Sequence, residues 1–431
     1  MLNRRVAVVG LGHVGLPIAI RFATAGIPTA GLDTNSALIS QLAAGQTGLA
    51  EEWSGRPIQE LLRAALAGGA LSLAASPEPL AECTDAVVTV GVPASREGCD
   101  LEPFRAAVTE AVRRLPAGAL LLVRSTLPAG TMEDFVLPLA LAEGRRLEDD
   151  LFVAYSPERM AEGVALAEVT SQPLILAAAG EEALRRARDL LTALGVREFA
   201  VASNLRLAEL AKAVENASRD IDIAFANEIA ALCRALEVDS AELVRLVNTH
   251  PRVKMLSPGP GVGGFCLPNA YHYLDFAARP LGVPLPLAAE ARRVNDAVPG
   301  LVAGLVEQGL ARRGRQLAGA KVAVLGVAMK DFCDDDRLSP AYDLLAHLAR
   351  RGAACAAYDP LVTRAFPGQV ESEEAALAGA AALVIAARQA GLNLDPAYLV
   401  RHLSPSPVIV DTRHCLDRTA AEALGCLVLS I

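Results

Sequence analysis

An α/β fold of two parallel-sheet halves joined by a long helix is what this sequence predicts, and three observations predict it. Short apolar runs alternate with longer Ala-rich stretches over roughly the first 200 residues, the rhythm of repeated strand–helix–strand units. A second series of such runs begins at Lys321, and VAVVGLG at Val6–Gly12 is echoed there as VAVLGVA at Val322–Ala328. Between the two, residues from Leu205 to Val238 contain neither proline nor glycine and read as one helix of ~50 Å at 1.5 Å per residue. The 431 residues exceed what one core normally supports, so the chain divides into a first domain over 1–200, a helical bridge over 201–300 and a second sheet domain over 301–431. With 52% hydrophobic but only 4% aromatic residues, the core must be built from Ala, Val and Leu, which suits close helix-on-sheet packing.

Taken in order, the strands of the first half are Val6–Val9, Thr29–Leu32, Ala86–Val90, Ala119–Val123 and Phe152–Ala154. The long helix follows, with Ala and Leu on several faces, and burial against a second copy of itself makes the protein a homodimer. Asp239 with Glu242 three residues on forms a capping box that starts the next helix, and Pro268 suits the first turn of another. The strands of the second half are Lys321–Leu325, Ala354–Ala357, Ala382–Ile385 and Val408–Val410.

The first strand runs into Gly10-Leu11-Gly12-His13-Val14-Gly15, and Asp33 closes the second strand 18 residues after Gly15. Gly10 permits the tight turn, Gly12 lets the backbone approach a pyrophosphate, and Gly15 lets helix and strand pack closely. The helix N-terminus supplies N–H groups to the anion, while Asp33 bonds the adenine ribose hydroxyls and repels the extra phosphate of NADP. This is the fingerprint of a Rossmann domain that binds NAD. The second half has Gly326 and Asp359 after matching strands without the full glycine pattern, and is expected to be a Rossmann-like domain that holds something else.

A formal net charge of −9 argues against nucleic acid and anionic membrane surfaces as partners. The eight cysteines are scattered, with no C-x-x-C pair for zinc or a redox disulfide, so no metal is expected and a reducing compartment fits. Arg4 and Arg5 before the apolar run Val6–Ile20 imitate a signal peptide, but the fingerprint glycines explain that run and no small-residue cleavage site ends it. No stretch of 18 uninterrupted apolar residues occurs, so the expectation is a soluble cytoplasmic protein.

The segment PGPGVGGFCLP at Pro258–Pro268 can form neither helix nor strand cheaply, and the expectation is a backbone kept bare around a phosphate. Cys266 follows the glycines directly, beside a new helix N-terminus where a thiolate is stabilised, as a covalent nucleophile requires. Lys212 and Asn216 lie four residues apart on one face of the long helix, where one supplies charge and the other orients a ligand oxygen. Arg124-Ser125-Thr126 and Tyr155-Ser156-Pro157-Glu158 each follow a predicted strand, at the sheet edge where α/β folds hold their ligands.

From Asn216 to Pro268, NASRDIDIAFANE, NTHPRV and PGPGVGGFCLP resemble the nucleotide-sugar 6-dehydrogenase family, and within it the branch acting on UDP-N-acetylmannosamine and UDP-N-acetylglucosamine. GLGHVGLP, RSTLPAG, SPERMAEG, the segment Gly326–Pro340 and VDTR at Val410–Arg413 match in the same order. The resemblance implies a UDP-sugar substrate whose C6 alcohol is oxidised to a carboxylate with two NAD and a covalent thioester. It assigns Cys266 as nucleophile, Lys212 and Asn216 to the oxyanion, and Thr126 and Glu158 to the hydrolytic water. His13 and Val14 join Gly10, Gly12, Gly15, Asp33 and Thr126 toward the cofactor. Gly263, Gly264, Lys330, Arg337 and, across a dimer, Arg252 contact the nucleotide sugar.

The chain departs from the family pattern close to the thiol. Ala270 stands where the family carries aspartate, Phe265 where this branch carries histidine, and Asn269 where some relatives carry lysine. Phe265 is expected to dry the vicinity of Cys266, and loss of a general acid–base group costs ~10²- to 10⁴-fold in the step it serves. Arg337-Leu338-Ser339-Pro340 replaces R-E-S-P, and Asp331-Phe332-Cys333 follows Lys330 where proline and asparagine are usual. Two other readings compete with full oxidation: an enzyme that stops at the aldehyde or epimerises with recycled NAD, and a lapsed enzyme kept as a nucleotide-sugar-binding protein.

Overall fold

The computed structural model describes residues 4–49, 51–160 and 163–431. Ala161 and Glu162 of the SPERMAEG motif lie outside them. The chain forms two units, Met1–Glu215 with His272–Pro284 and Asn216–Tyr271 with Leu285–Ile431.

In the first unit eight strands make one sheet: β1 (Val6–Val9), β2 (Thr29–Leu32), β3 (Leu71–Ala74), β4 (Asp85–Val88), β5 (Ala119–Val123), β6 (Leu151–Tyr155), β7 (Leu174–Ala178) and β8 (Phe199–Val201). Their spatial order is β3-β2-β1-β4-β5-β6-β7-β8, and the first six follow the Rossmann order 3-2-1-4-5-6. β1 pairs in parallel with β2 and β4, Val6 lying beside Thr29 on one side and Asp85 on the other. Side chains alternate across the sheet. Val6, Val8, Leu120 and Leu122 enter one core layer, whereas Ala7, Leu121 and Val123 enter the opposite layer.

The second unit carries a wholly parallel sheet of β9 (Lys321–Leu325), β10 (Ala354–Tyr358), β11 (Ala382–Ile385), β12 (Val408–Asp411) and β13 (Leu427–Ser430), in the order β10-β9-β11-β12-β13. This is the other common doubly wound order, 2-1-3-4-5. The fold is therefore α/β with two Rossmann-like sheets and a long helix between them in sequence.

Four features differ from expectation. β3, β7, β8 and β13 are additional to the expected strands, and β6 pairs with β7 antiparallel. The strand expected at Ala86–Val90 spans Asp85–Val88; the Thr89 hydroxyl that follows donates to the Gly10 carbonyl at 2.7 Å, tying the strand end to the glycine turn. The helix α1 (Gly15–Thr24) opens the first crossover, and α2 (Leu205–Ala235) is the long helix, with Asn204 capping its start by accepting from the Leu207 amide. α2 ends three residues before the predicted Val238. Glu237 adopts φ +57° and the Val238 amide turns back to the Cys233 carbonyl, a left-handed stop without a glycine to announce it. Asp239 then caps α3 (Ser240–Val247) by accepting from the Glu242 amide, as its spacing predicts.

Candidate active site

The cofactor half of the chemistry lies in the first unit. A cleft of about 550 Å³ opens at the C-terminal ends of β1, β2 and β4, where the strand order reverses, and Gly10, Gly12, Asp33, Thr89 and Val90 line it. Gly10 holds φ +93° with Val90 3.2 Å from where a Cβ would stand. A Cβ on Gly15 would fall 1.8 Å from the Gly10 carbonyl oxygen, so only glycine lets α1 meet the turn. Gly12 has nothing within 4 Å of its Cβ position, and a side chain there would enter the cleft itself.

Val14 stands at the N-cap position of α1 and makes no side-chain cap; of the first-turn positions that follow, Leu16 already donates to the Gly12 carbonyl and Pro17 has no N–H, which leaves Gly15 to face an anion. His13 is exposed on the same turn and Val14 half-buried. Asp33 accepts from the Leu11 amide at 2.8 Å and the Asn35 amide at 2.9 Å, which fills about two of a carboxylate's four acceptor positions and leaves the others for a ribose diol. These residues fit NAD. Thr126, half-buried after the end of β5, is not among the cleft-lining residues.

Asp359, the counterpart of Asp33 in the second unit, is spent. Val327, Ala328, Leu361 and Val362 donate their amides to it, and Gln389 adds its side-chain amide. A carboxylate so saturated cannot also take ribose hydroxyls, which is why this half retains the shape without the dinucleotide function.

In the first unit Glu158 is the buried counter-ion of Arg124, at 2.5 Å, and also accepts from the Arg159 and Met160 amides. Glu209 on α2 is fully buried and accepts from the Gly130 and Met132 amides, tying α2 to the loop that begins at Thr126. Burial pushes its carboxyl from the ordinary 4.5 up to about 7, against the opposing pull of those two amides. Lys212, also buried, lies three residues further along α2.

In the second unit Cys266 is the first residue of α4 (Cys266–Ala278), and Asn216 on α2 donates its side-chain amide to the Cys266 carbonyl at 3.4 Å. Cys266 is exposed, unlike the other seven cysteines among the described residues. Burial pushes the thiols of Cys83 to about 11, and of Cys99 and Cys415 to about 12. Ala270, one turn on from Cys266, is fully buried.

One expectation about this segment changes, and a second observation is added to it. Phe265 is 45% exposed and so does not dry the thiol's surroundings; its ring instead lies 5.1 Å from the Arg337 guanidinium, a cation–π contact. The glycines also have a packing reason for lacking a side chain. A Cβ on Gly263 would meet the Leu338 carbonyl oxygen at 2.6 Å and Met329 and Pro340 at 2.9 Å, and one on Gly264 would meet the Met329 sulfur at 2.4 Å.

Arg337 is held by a double contact with Asp335, and its carbonyl accepts from the Gly264 amide, so the glycine segment and the Lys330–Arg337 segment are joined. Lys330 is exposed beside it. Arg252 is exposed in a loop closed by Asn248, which bonds both the amide and the carbonyl of Met255, and it has no carboxylate partner among the described residues.

Sequence reasoning passed over the network that anchors this segment. The Gly259 amide donates to Asn227, Asn227 to Asn295, and Asn295 to Asp220, which is ion-paired with Arg292; all four side chains are buried. The available signal was the seven-residue spacing of Asp220 and Asn227, which puts two polar groups on one face of an Ala-rich helix. A larger cavity, about 700 Å³, lies elsewhere in the second unit beside Arg234, Ser240, Arg312 and Ile431 and includes none of the expected site residues. Among the described residues no group of His, Cys, Asp and Glu could hold a metal ion, and no helix is long and apolar enough to cross a membrane.

Residues 4–194 match the NAD binding domain of the UDP-glucose/GDP-mannose dehydrogenase family, 206–297 its central domain and 323–418 its UDP binding domain. The UDP-N-acetyl-D-mannosamine dehydrogenase of Pyrococcus horikoshii is 35% identical over 383 residues, covering 89% of this chain and 88% of the relative. An NDP-N-acetyl-D-galactosaminuronic acid dehydrogenase of Ralstonia nicotianae is 33% identical, with 81% of each chain covered. A solved UDP-D-ManNAc dehydrogenase structure from Pyrococcus horikoshii, 32% identical, superposes with a TM-score of 0.89 over 99% of both chains.

Proposed function

The chain belongs to the UDP-glucose/GDP-mannose dehydrogenase family and is an NAD-dependent oxidoreductase, and from that premise we propose that it oxidises the C6 alcohol of a UDP-N-acetylhexosamine to the uronate through a thioester on Cys266. NAD, when bound, supplies the hydride acceptor for each of the two oxidations. Gly10, Gly12, Gly15 and the uncapped start of α1 hold its pyrophosphate, Asp33 its adenine ribose, and His13, Val14 and Thr126 complete the contacts.

Lys212 and Asn216 stabilise the oxygen of C6 as its proton passes to a water bound at Lys212, an electrostatic contribution commonly worth a few kcal/mol. The Cys266 sulfur then adds to the aldehyde carbon as a thiohemiacetal, and loss of the second hydride leaves a thioester. Water held by Thr126 and Glu158 adds to that carbonyl, the C–S bond breaks, and Cys266 departs as thiolate. Lys330, Arg337, the Gly263 and Gly264 backbone, and Arg252 reaching from a second copy of the chain hold the nucleotide sugar.

The observation that carries this reading is the setting of Cys266: an exposed thiol at a helix N-terminus, with Asn216 on its carbonyl. One observation favours a second reading, in which oxidation stops at the aldehyde or the hydride returns in a redox-neutral epimerisation. The buried methyl of Ala270 stands where the family has an acid, and it can move no proton.

Incubation with a panel of UDP-sugars and NAD, followed by mass spectrometry and a count of NADH per sugar consumed, separates the two. Two NADH and a uronate are expected, with a transient intact-mass increase that Cys266→Ser abolishes. One NADH with an aldehyde trapped by hydroxylamine would establish the second reading, and no turnover of any UDP-sugar would remove both.

A further inference from the structure

Three donors already engage the Glu158 carboxylate. Arg124 Nη2 reaches Oε2 at 2.5 Å, and the amides of Arg159 and Met160 reach Oε1 at 2.6 and 2.7 Å. A carboxylate offers about four lone-pair positions, so the one left open is on Oε2, and Arg124, occupying its companion, decides where it points. The Arg159 guanidinium is turned away to Glu215 and the Pro173 carbonyl, which leaves Arg124 as the cation on Glu158 among the described residues.

Arg124 is only 1% exposed, and its Nε and Nη1 have no protein partner among the described residues; nor do the buried hydroxyls of Ser125 and Ser156. Buried polar atoms in such a group are met by ordered water. A fixed cation, a carboxylate with one open lobe and a place that demands water thus converge at the C-terminal ends of β5 and β6.

We propose that Arg124 is a positioning residue that fixes the Glu158 carboxylate and aims its one open lone pair at the hydrolytic water. This rests on the role given to Glu158 above. In that step the water oxygen bonds to the thioester carbon while its proton passes to Glu158. The tetrahedral adduct collapses by breaking the C–S bond, and Cys266 leaves as thiolate with no change of oxidation state. The two hydride transfers precede this step and do not use Glu158, so Arg124 acts on release of the acyl group alone.

The test is single-turnover kinetics, with NADH followed by absorbance and the Cys266 adduct by intact mass. Glu158→Gln is expected to slow adduct decay about 100-fold, the usual scale for losing a proton-transfer group. Arg124→Met should slow it at least about tenfold and leave the first NADH phase and both KM values within about twofold, which a merely structural role would not do. Arg124→Lys should restore decay to within about threefold, because a single nitrogen makes the contact. The double variant Arg124→Met with Glu158→Gln should be no slower than Glu158→Gln.

If Glu158→Gln slows decay while Arg124→Met does not, or if the double variant multiplies the two losses, the inference fails and the role of Glu158 stands. If Glu158→Gln leaves decay unchanged, that role fails and the inference with it. Should Arg124→Met not fold, Arg124→Gln, which keeps a donor without the charge, takes its place with the same expected order. A folded Arg124→Lys as slow as Glu158→Gln would also overturn the proposal.

Discussion

Two aspartates at equivalent places show how one residue type acquires different functions. Asp33 and Asp359 each follow the second strand of a sheet, yet Asp33 has two amide donors and Asp359 has four amides and Gln389. Only Asp33 keeps acceptors for a ribose, and its charge opposes a 2′-phosphate by roughly 3 kcal/mol at ~5 Å and an effective dielectric near 20. Calorimetric titration should therefore find NAD bound about 100-fold more tightly than NADP, with Asp33→Ser closing most of that gap; equal affinities in the unaltered protein would refute the assignment. Glu209 makes a second residue-scale prediction. Its folded carboxyl is raised from the ordinary 4.5 to about 7 by burial, so between those pH values the folded state keeps a proton that the unfolded state releases. Its contribution is thus fully present below about pH 4.5 and lost as pH rises through 7, a loss on the order of 3 kcal/mol. Urea unfolding at a series of pH values should show this decline, and Glu209→Gln should flatten it. Asp33 was legible because a motif gives its position, whereas Glu209 was not, since its partners lie 77 and 79 residues away.

At the scale of elements, the glycine segment is placed by what packs against it. Gly261 and Gly263 are forced by Pro340 and Leu338, Gly264 by its φ of +76°, and Gly259 is tied to α2 through Asn227. Asn227 depends in turn on Asn295, which also bonds the Asp220 that Arg292 neutralises. Arg292→Met should destabilise the protein by about 3–5 kcal/mol, the scale for stranding a buried charge. Because burial already pushes the Asp220 carboxyl up and Arg292 holds it down, the loss should shrink toward acid pH, where Asp220 can protonate. Denaturant midpoints at pH 5 and pH 8 would decide, and an equal loss at both would show that removing Arg292 does not raise the Asp220 carboxyl further. The sequence marked this segment as special without revealing its packing partners. A run of glycines is the same signal whether the bare backbone faces a phosphate or a neighbouring chain segment.

For the whole molecule, the exposed face of α2 carries the main unresolved burial. Leu207, Val214, Phe225 and Leu232 are all exposed, spaced seven, eleven and seven residues apart, so whole turns return each to one stripe, with Leu210 beside it. We propose that a second copy of the chain covers this stripe. Sedimentation at micromolar concentration should show a dimer that Phe225→Glu with Leu232→Glu converts to monomer, and a monomeric unaltered protein would defeat the proposal. By itself the sequence determined the α/β class, the two sheet series, the long helix, the NAD fingerprint and the candidate thiol, because periodicity, glycine spacing and helix caps are set by residues within a few turns of one another. Tertiary structure alone decided the antiparallel β6–β7 pairing, the saturation of Asp359, the exposure of Phe265 and the Arg124–Glu158 pair. Each of these depends on which distant group occupies the remaining hydrogen-bonding or van der Waals space, and no local pattern encodes that.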